Sequence, residues 1–344
     1  MSDVTRPARP AGVREVAHLA GVSTQTVSRV INNYPNIRPE TRMRVLEAMR
    51  ALDYRVNNAA RALGTASTRT IGVIATDATL YGPTVGIAAL AEAAREAGLW
   101  IATAYADAGD PAAIDGSIAH VLAQGIDGLV LVAPHARTIE RVRQSAADVP
   151  VASLHADEGA EAQRAGAALA VAHVIERGHT RIARLAGPED WLEEAARAEG
   201  TTRALTAAGL QETRRWRGDW SARSGYAAAA EIAAAVRAGE VTAILAANDQ
   251  MALGLMAGLD AAAIRVPDDL VVVGFDDNPD AAFYAPALTS VRVDVLGDAR
   301  RCVAAVVGAP SSADAAVGAS APLRFSPPTS DTVDSLQYLL AHSL

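Results

Sequence analysis

Val13-Arg14-Glu15-Val16-Ala17-His18-Leu19-Ala20-Gly21-Val22-Ser23-Thr24-Gln25-Thr26-Val27-Ser28-Arg29-Val30-Ile31-Asn32 reads as two short helices meeting at a glycine. Val13, Val16, Ala17 and Ala20 recur at three- and four-residue steps on one face, and Val27, Val30 and Ile31 do the same in the second segment. Gly21 stands where the chain must reverse, and Ser23 is a suitable N-cap for the second helix. The pattern predicts a helix-turn-helix. Thr24, Gln25, Thr26, Ser28 and Arg29 remain on the outward face of its second helix. Amide and guanidinium groups pair with purine edges, and hydroxyls suit bases or phosphates, so this face has the chemistry of a major-groove reader. The same pattern also describes a helical hairpin whose polar face is merely solvated.

A third helix is predicted to start near Pro39 and Glu40, a proline suited to the first turn and an acid suited to the helix dipole, and to turn Val45, Leu46, Met49 and Leu52 inward. Asn57-Asn58-Ala59-Ala60-Arg61-Ala62-Leu63-Gly64 comes next, ahead of a polar linker at 65–70. Eight residues are too few for a stable free helix, so this segment reads as one that becomes helical only when docked.

The formal charge of −8 argues against a nucleic-acid partner for the whole chain. Its distribution reverses that conclusion. Residues 1–69 hold 11 arginines against 5 acids, a net of +6, leaving a net of −14 on the rest. The single cysteine, Cys302, permits no internal disulfide and suits a reducing compartment. Neither a signal-peptide core nor an uninterrupted membrane-length apolar run is legible, so a cytoplasmic protein is expected.

Beyond the linker, β-branched runs at 71–76, 99–105, 128–133, 149–154, 181–186, 241–246 and 270–275 alternate with alanine-rich helical stretches such as 86–97 and 164–177. Near-continuous apolar strands with intervening helices predict parallel sheet covered on both faces, with ligands at the carboxyl ends of the strands. His155 and Asp157, Asn248 and Asp249, and Asp276 and Asp277 follow such ends; Arg197 lies after Gly187-Pro188, and Trp220 in Gly218-Asp219-Trp220-Ser221. Carboxylates, an amide, a guanidinium and an indole face together make the chemistry of a sugar site. Asp249 and Asp277 equally suit helix caps or loop braces, and Trp191 and Trp216 suit packing. Asp276 and Asp277, as neighbours, point apart and do not flank one bond. No nucleotide-binding turn or serine elbow occurs, and His173 and His179 lack one-face metal spacing. A non-enzyme without catalytic residues, cofactor or metal is expected.

Glu15-Val16-Ala17, Ala20-Gly21-Val22-Ser23, Thr26-Val27-Ser28-Arg29-Val30-Ile31-Asn32 and Asn58-Ala59-Ala60-Arg61-Ala62-Leu63 resemble the LacI/GalR family of bacterial transcriptional regulators. So do Leu80-Tyr81-Gly82-Pro83, Leu185-Ala186-Gly187-Pro188, Ala247-Asn248-Asp249-Gln250-Met251-Ala252 and Val273-Gly274-Phe275-Asp276-Asp277. The resemblance implies a small all-α helix-turn-helix head and an α/β effector domain of two parallel-sheet subdomains, similar to periplasmic binding proteins. The implied divisions are a head at 1–56, a hinge at 57–69 and an effector and dimerisation domain at 70–344. Its N-subdomain would be 70–166 with 296–325 and its C-subdomain 167–295 with 326–344, with crossings near Ala167, Val295 and Phe325. DNA contacts carry over to Thr24, Gln25, Thr26, Ser28, Arg29, Asn32, Asn58, Arg61 and Leu63, with Leu63 as a minor-groove wedge. Effector contacts carry over to Tyr81, Pro83, His155, Arg197, Trp220, Asn248 and Asp276.

The resemblance therefore implies a homodimeric repressor of a carbohydrate-utilisation operon, bound to a pseudo-palindromic operator in double-stranded DNA and released by a sugar, a galactoside being preferred. A regulator that needs a purine or another small metabolite as corepressor is the alternative, and a sugar-binding module or enzyme with an interaction head is a third. His155 stands where the family commonly has aspartate, and Ala162-Gln163 replaces its usual Asp-Gln, which leaves the effector's identity open. The tail with Leu336, Leu340 and Leu344 is too short for a tetramerising coiled coil.

Overall fold

Helix α1 (Val13–Ala20) ends on Gly21, whose φ of 63° is the left-handed conformation that closes the turn. Helix α2 (Thr24–Ile31) starts on Ser23, whose Oγ accepts from the Thr26 N–H at 3.1 Å. Helix α3 (Pro39–Ala51) starts behind Arg38, which gives no side-chain cap. Val16, Ala17, Ala20, Val27, Val30, Val45 and Ala48 form one small core. Leu46 is not part of it: at 38% exposure it lies outward, because Val45, Ala48, Met49 and Leu52 keep the three- and four-residue rhythm and Leu46 falls about 100° away.

The computed structural model describes residues 11–32, 34–54, 67–132, 135–155, 158–308 and 323–324. The chain divides into two compact units, Met1–Thr68 and Arg69–Leu344. The hinge residues Asn58, Arg61 and Leu63 lie outside the described residues.

The second unit contains two sheets. The first has the order β2-β1-β3-β4, all parallel, from β1 (Thr70–Thr76), β2 (Trp100–Ala106), β3 (Gly128–Val132) and β4 (Val151–Ser153). Helices α4 (Tyr81–Glu96), α5 (Pro111–Leu122) and α6 (Ala136–Ser145) connect these strands. Ile71, Val73 and Leu90 belong to one apolar layer, and Ile74, Ile118 and Leu129 to another.

The second sheet has the order β10-β9-β8-β7-β5-β6. Its strands are β5 (Ile182–Ala186), β6 (Arg215–Arg217), β7 (Ala243–Ala246), β8 (Val271–Asp276), β9 (Thr289–Arg292) and β10 (Leu323–Arg324), of which only β10 runs antiparallel to its neighbour. Helices α7 (Glu158–Glu176), α8 (Leu192–Ala207), α9 (Ala222–Arg237) and α10 (Asp249–Ala261) belong to it, whereas α11 (Val295–Val307) returns to pack on the first sheet.

The chain passes from the first sheet to the second between β4 and Ala167, since Ala167, Ala170 and Val171 already share an apolar layer with Val273 and Val291. It passes back between β9 and α11, and by Leu323 it has rejoined the second sheet. Helix α4 begins five residues before the expected start at Gly86. Gly82 and Pro83 look like breakers in sequence, yet a first helical turn needs no N–H from proline. Strands β6 and β9, Arg-Trp-Arg and Thr-Ser-Val-Arg, lack the apolar run that marked the others.

Helices α9 and α10 meet almost backbone to backbone. A Cβ on Gly254 would sit 1.7 Å from the Ala222 carbonyl oxygen, and one on Gly225 2.0 Å from that of Met251. Alanine at 254 gains about 1 kcal/mol in helix propensity but suffers an overpacking penalty of ~1–3 kcal/mol or more. With backbone on the opposing side the penalty prevails. Gly254→Ala is therefore expected to lower the free energy of urea unfolding by about 2 kcal/mol, and an increase would mean that the two helices separate freely.

Candidate functional site

On the helical head, Thr24, Gln25, Ser28 and Arg29 are exposed together on α2, opposite the buried Val27 and Val30. Thr26 is half-buried, its Oγ1 3.0 Å from Ser23 Oγ, so it belongs to the cap as well as to this face. Asn32 is the C-cap residue, and its Nδ2 donates to Ser28 Oγ at 3.4 Å. The residues that the sequence placed in a groove-reading set thus divide into an outward group of four and two that also shape the helix ends.

The second unit holds a cleft of about 350 Å³ between its two sheets. Tyr81, Pro83, His155, Arg197, Trp220, Asn248 and Asp276, singled out from the sequence, all line it. So do Gln163, Trp191 and Glu193, which come from α7, from the loop after β5 and from α8. Five of the residues around this region, Asp77, His155, Trp220, Asp276 and Asp277, have a positive φ without being glycine. Such backbone is held only where its surroundings over-determine it, and it gathers at functional sites.

Arg197 is the knot of the cleft. It is buried, and it donates from Nε to Gln163 Oε1 at 2.8 Å, from Nη1 to the Ala247 carbonyl and from Nη2 to Asp276 Oδ1 at 3.2 Å. Its guanidinium lies 3.9 Å from the Phe275 ring centre. Burial pushes the Asp276 carboxyl upward, against the opposing pull of Arg197 and His155. Trp220 is buried with φ 71°, its ring resting on Gly187 and 5.2 Å from that of Trp191. Trp191 is therefore a wall of the cleft as well as a packing residue; Trp216 is buried elsewhere, donating from Nε1 to Glu231 at 3.1 Å.

Asn248 lines the cleft, but its amide serves the protein. Its Oδ1 caps α10 by accepting from the Met251 N–H at 2.8 Å, and its Nδ2 donates to the Trp220 carbonyl at 3.0 Å. The strand-end cap thus falls on Asn248, while Asp249 braces the loops by accepting from Ser290 Oγ at 2.6 Å and the Asn278 N–H at 2.7 Å. Burial, with help from the charge of Asp276, pushes the Asp249 carboxyl up to about 8. Asp277 is bound to Arg292 Nε at 2.7 Å. His155 Nδ1 lies 2.8 Å from Asp298 Oδ2. Although burial works the other way, His155 and Arg301 hold that carboxyl below its ordinary range. His173 is buried in the second lobe, where burial and Arg177 bring its ring down to about 4. No group of three or more metal-ligating side chains occurs among the described residues.

A clasp joins the two lobes beside the cleft. The His135 ring places Nε2 3.3 Å from Asp77 Oδ2 of the first lobe and Nδ1 3.1 Å from Asp190 Oδ2 of the second, and packs edge-on against Trp191 at 4.9 Å. Two carboxylates at both ring nitrogens require the doubly protonated ring. Burial opposes that charge, yet the hydrogen bonds and charges of Asp77 and Asp190 leave the ring above its ordinary 6.5. No motif or periodicity singled out this group. Its one signal was the rule that polar residues gather past strand ends, extended to 187–191 and 133–135.

A raised histidine stabilises the fold fully below its unfolded value near 6.5, and that contribution is lost as pH rises through the folded value. Asp249 weakens in the same direction, so the comparison is with His135→Gln. Between pH 6 and pH 9 the wild-type Tm is expected to fall by roughly 2–4 °C more than that of the variant, the effect of about 1 kcal/mol from a half-screened pair. Equal slopes would remove the clasp's charge from the account.

Two family descriptions match the chain: "Bacterial regulatory proteins, lacI family" over residues 12–57, and "Periplasmic binding protein-like domain" over residues 171–320. The lactose operon repressor of Escherichia coli (strain K12) is 33% identical over 294 residues, covering 83% of this chain and 81% of that protein. The lac repressor dimer bound to operator and the anti-inducer ONPF superposes with a TM-score of 0.68 at 30% identity, covering 87% of this chain and 94% of the other. A complex of the transcriptional regulator CelR with cellobiose gives a TM-score of 0.60 at 28% identity, covering 86% and 92%. A lacI-type head followed by a two-lobed binding domain, matched over most of its length, means that the chain belongs to the lacI family of bacterial regulatory proteins.

Proposed function

We propose that this chain is a sequence-specific transcriptional repressor of a carbohydrate-utilisation operon, a cytoplasmic homodimer released from a pseudo-palindromic operator by a sugar held between its two lobes. The observation that carries this reading is the cleft. An indole wall, a fixed guanidinium and carboxylates at the ends of parallel strands offer a flat apolar face and directional hydrogen bonds, as a pyranose ring requires. No catalytic role is proposed for it. Its relatives include a repressor seen on operator and a regulator seen with cellobiose, which supports the same two classes of partner. A galactoside is the first candidate. Among the described residues no helix is long and apolar enough to cross a membrane.

Thr24, Gln25, Ser28 and Arg29 read the major groove, Thr26 and Asn32 support that face, and Asn58, Arg61 and Leu63 make the hinge contacts, Leu63 as the wedge. The sugar favours one arrangement of the two lobes and the operator another. Each then weakens the other by the same factor, about 5–150-fold.

Fluorescence anisotropy on the DNA flanking the gene, at fixed moderate salt, with galactosides, glucosides, pentoses and purines, tests this. Tight binding that one sugar releases is the expected result, and binding that appears only with a purine would replace the inducer by a corepressor. Gln25→Ala is expected to cost about 1–3 kcal/mol of specific binding while sparing salt-dependent binding to random DNA. Trp220→Ala is expected to keep operator binding and lose the sugar response. Persistence of that response would remove the indole from the site.

A further inference from the structure

Apart from His155 Nδ1, which faces Asp298 Oδ2 at 2.8 Å, three residues lining the cleft carry a buried polar atom with no hydrogen-bond partner among the described residues: Gln163 Nε2, Trp220 Nε1 and Glu193 Oε2. Gln163 is fully buried, Trp220 4% exposed and Glu193 5% exposed. They come from α7, the loop before α9 and α8, so the first two bring donors and the third an acceptor to the wall of one cleft.

The charges of the cleft single out Glu193. His155 is matched by Asp298 at 2.8 Å, Arg197 by Asp276 at 3.2 Å and Arg292 by Asp277 at 2.7 Å. Asp294 is exposed and caps α11, accepting from the Gly297 N–H at 2.9 Å. Glu193 is the buried acid left without an ion pair among the described residues of the cleft. An ionised carboxylate out of water must be met by a cation or give up its charge. Burial pushes the Glu193 carboxyl upward although His155, Arg197 and His135 face it and pull the other way. A neutral sugar meets that carboxyl in its protonated form, whereas an ammonium group can hold it ionised.

We infer that the effector is an amino sugar, its ammonium meeting the Glu193 carboxylate while its hydroxyl oxygens accept from Gln163 Nε2 and Trp220 Nε1. This rests on the sugar reading of the cleft and narrows it. Glu193 is then the residue that selects the amine over the hydroxyl at one ring position.

Isothermal titration of the full chain at pH 6.5, where amino sugars are protonated, with glucose against glucosamine, galactose against galactosamine and mannose against mannosamine, tests it. One amino sugar is expected to bind at least about tenfold tighter than its hydroxyl counterpart, as one desolvated charge pair allows. In Glu193→Gln the two members of that pair are expected to bind within about twofold of each other. The wild-type comparison stands even where the variant fails to fold. Neutral sugars binding as tightly as their amines, or a preference that survives in Glu193→Gln, would overturn the inference and leave the sugar reading intact. Binding of none of the six would likewise overturn the inference, and the sugar reading would then rest on the anisotropy experiment with galactosides.

Discussion

One buried guanidinium holds the cleft together. Arg197 reaches from α8 to Gln163 on α7, to the Ala247 carbonyl past β7 and to Asp276 at the end of β8, with Phe275 beneath it. A buried arginine is tolerable only when its donors are spent, and here three are spent on three separate segments. The geometry follows from that demand. Asp276 must turn with φ at 104° to bring its carboxylate round, and Gln163, having given its oxygen to Arg197, is left with its amide nitrogen. The unspent amide nitrogen of Gln163 is a by-product of how this buried cation is satisfied.

Around this knot, backbone in unusual conformations collects where strands stop. A parallel sheet covered by helices exposes its backbone only at the strand ends, so loops there take whatever shape their capping and bracing allow. Asn248 caps α10 and grips the Trp220 carbonyl, so a helix start and an aromatic wall are fixed by one side chain. Asp249 binds Ser290 and the Asn278 backbone, tying two more segments to α10. On the second-lobe side of the cleft Arg197, Asn248 and Asp249 are thus employed in holding other residues of their own protein.

Between the lobes the attachment is lighter. Asp77, His135 and Asp190 form a charged clasp that involves few groups and is half-open to water on its acidic sides. Beside the clasp the lobes also touch through the His135 ring on Trp191 and through Leu80 packed against the core of the second lobe. Contact energies spent inside each lobe do not enter the balance between arrangements of the two lobes.

Periodicity, residue type, charge and family resemblance account for the features that could be read before any fold was known. The helix-turn-helix follows from the steps of Val16, Ala17, Ala20, Val27 and Val30 around Gly21, and seven strands from their β-branched runs. The basic head and acidic remainder were also legible, since charge needs no fold to be counted. Arg197, Trp220 and Asp276 were visible through strand-end position and family resemblance. Polar β6 and β9 were not, because an edge strand and one braced by its neighbours need no apolar run. It took the packed chain to show that Leu46 faces out, that Asn248 spends its amide on its own protein, and that Glu193 lacks an ion pair among the described residues of the cleft. Whether a polar atom is satisfied is a property of what lies across the cleft, contributed by residues tens of positions away, and local sequence carries no record of that distance.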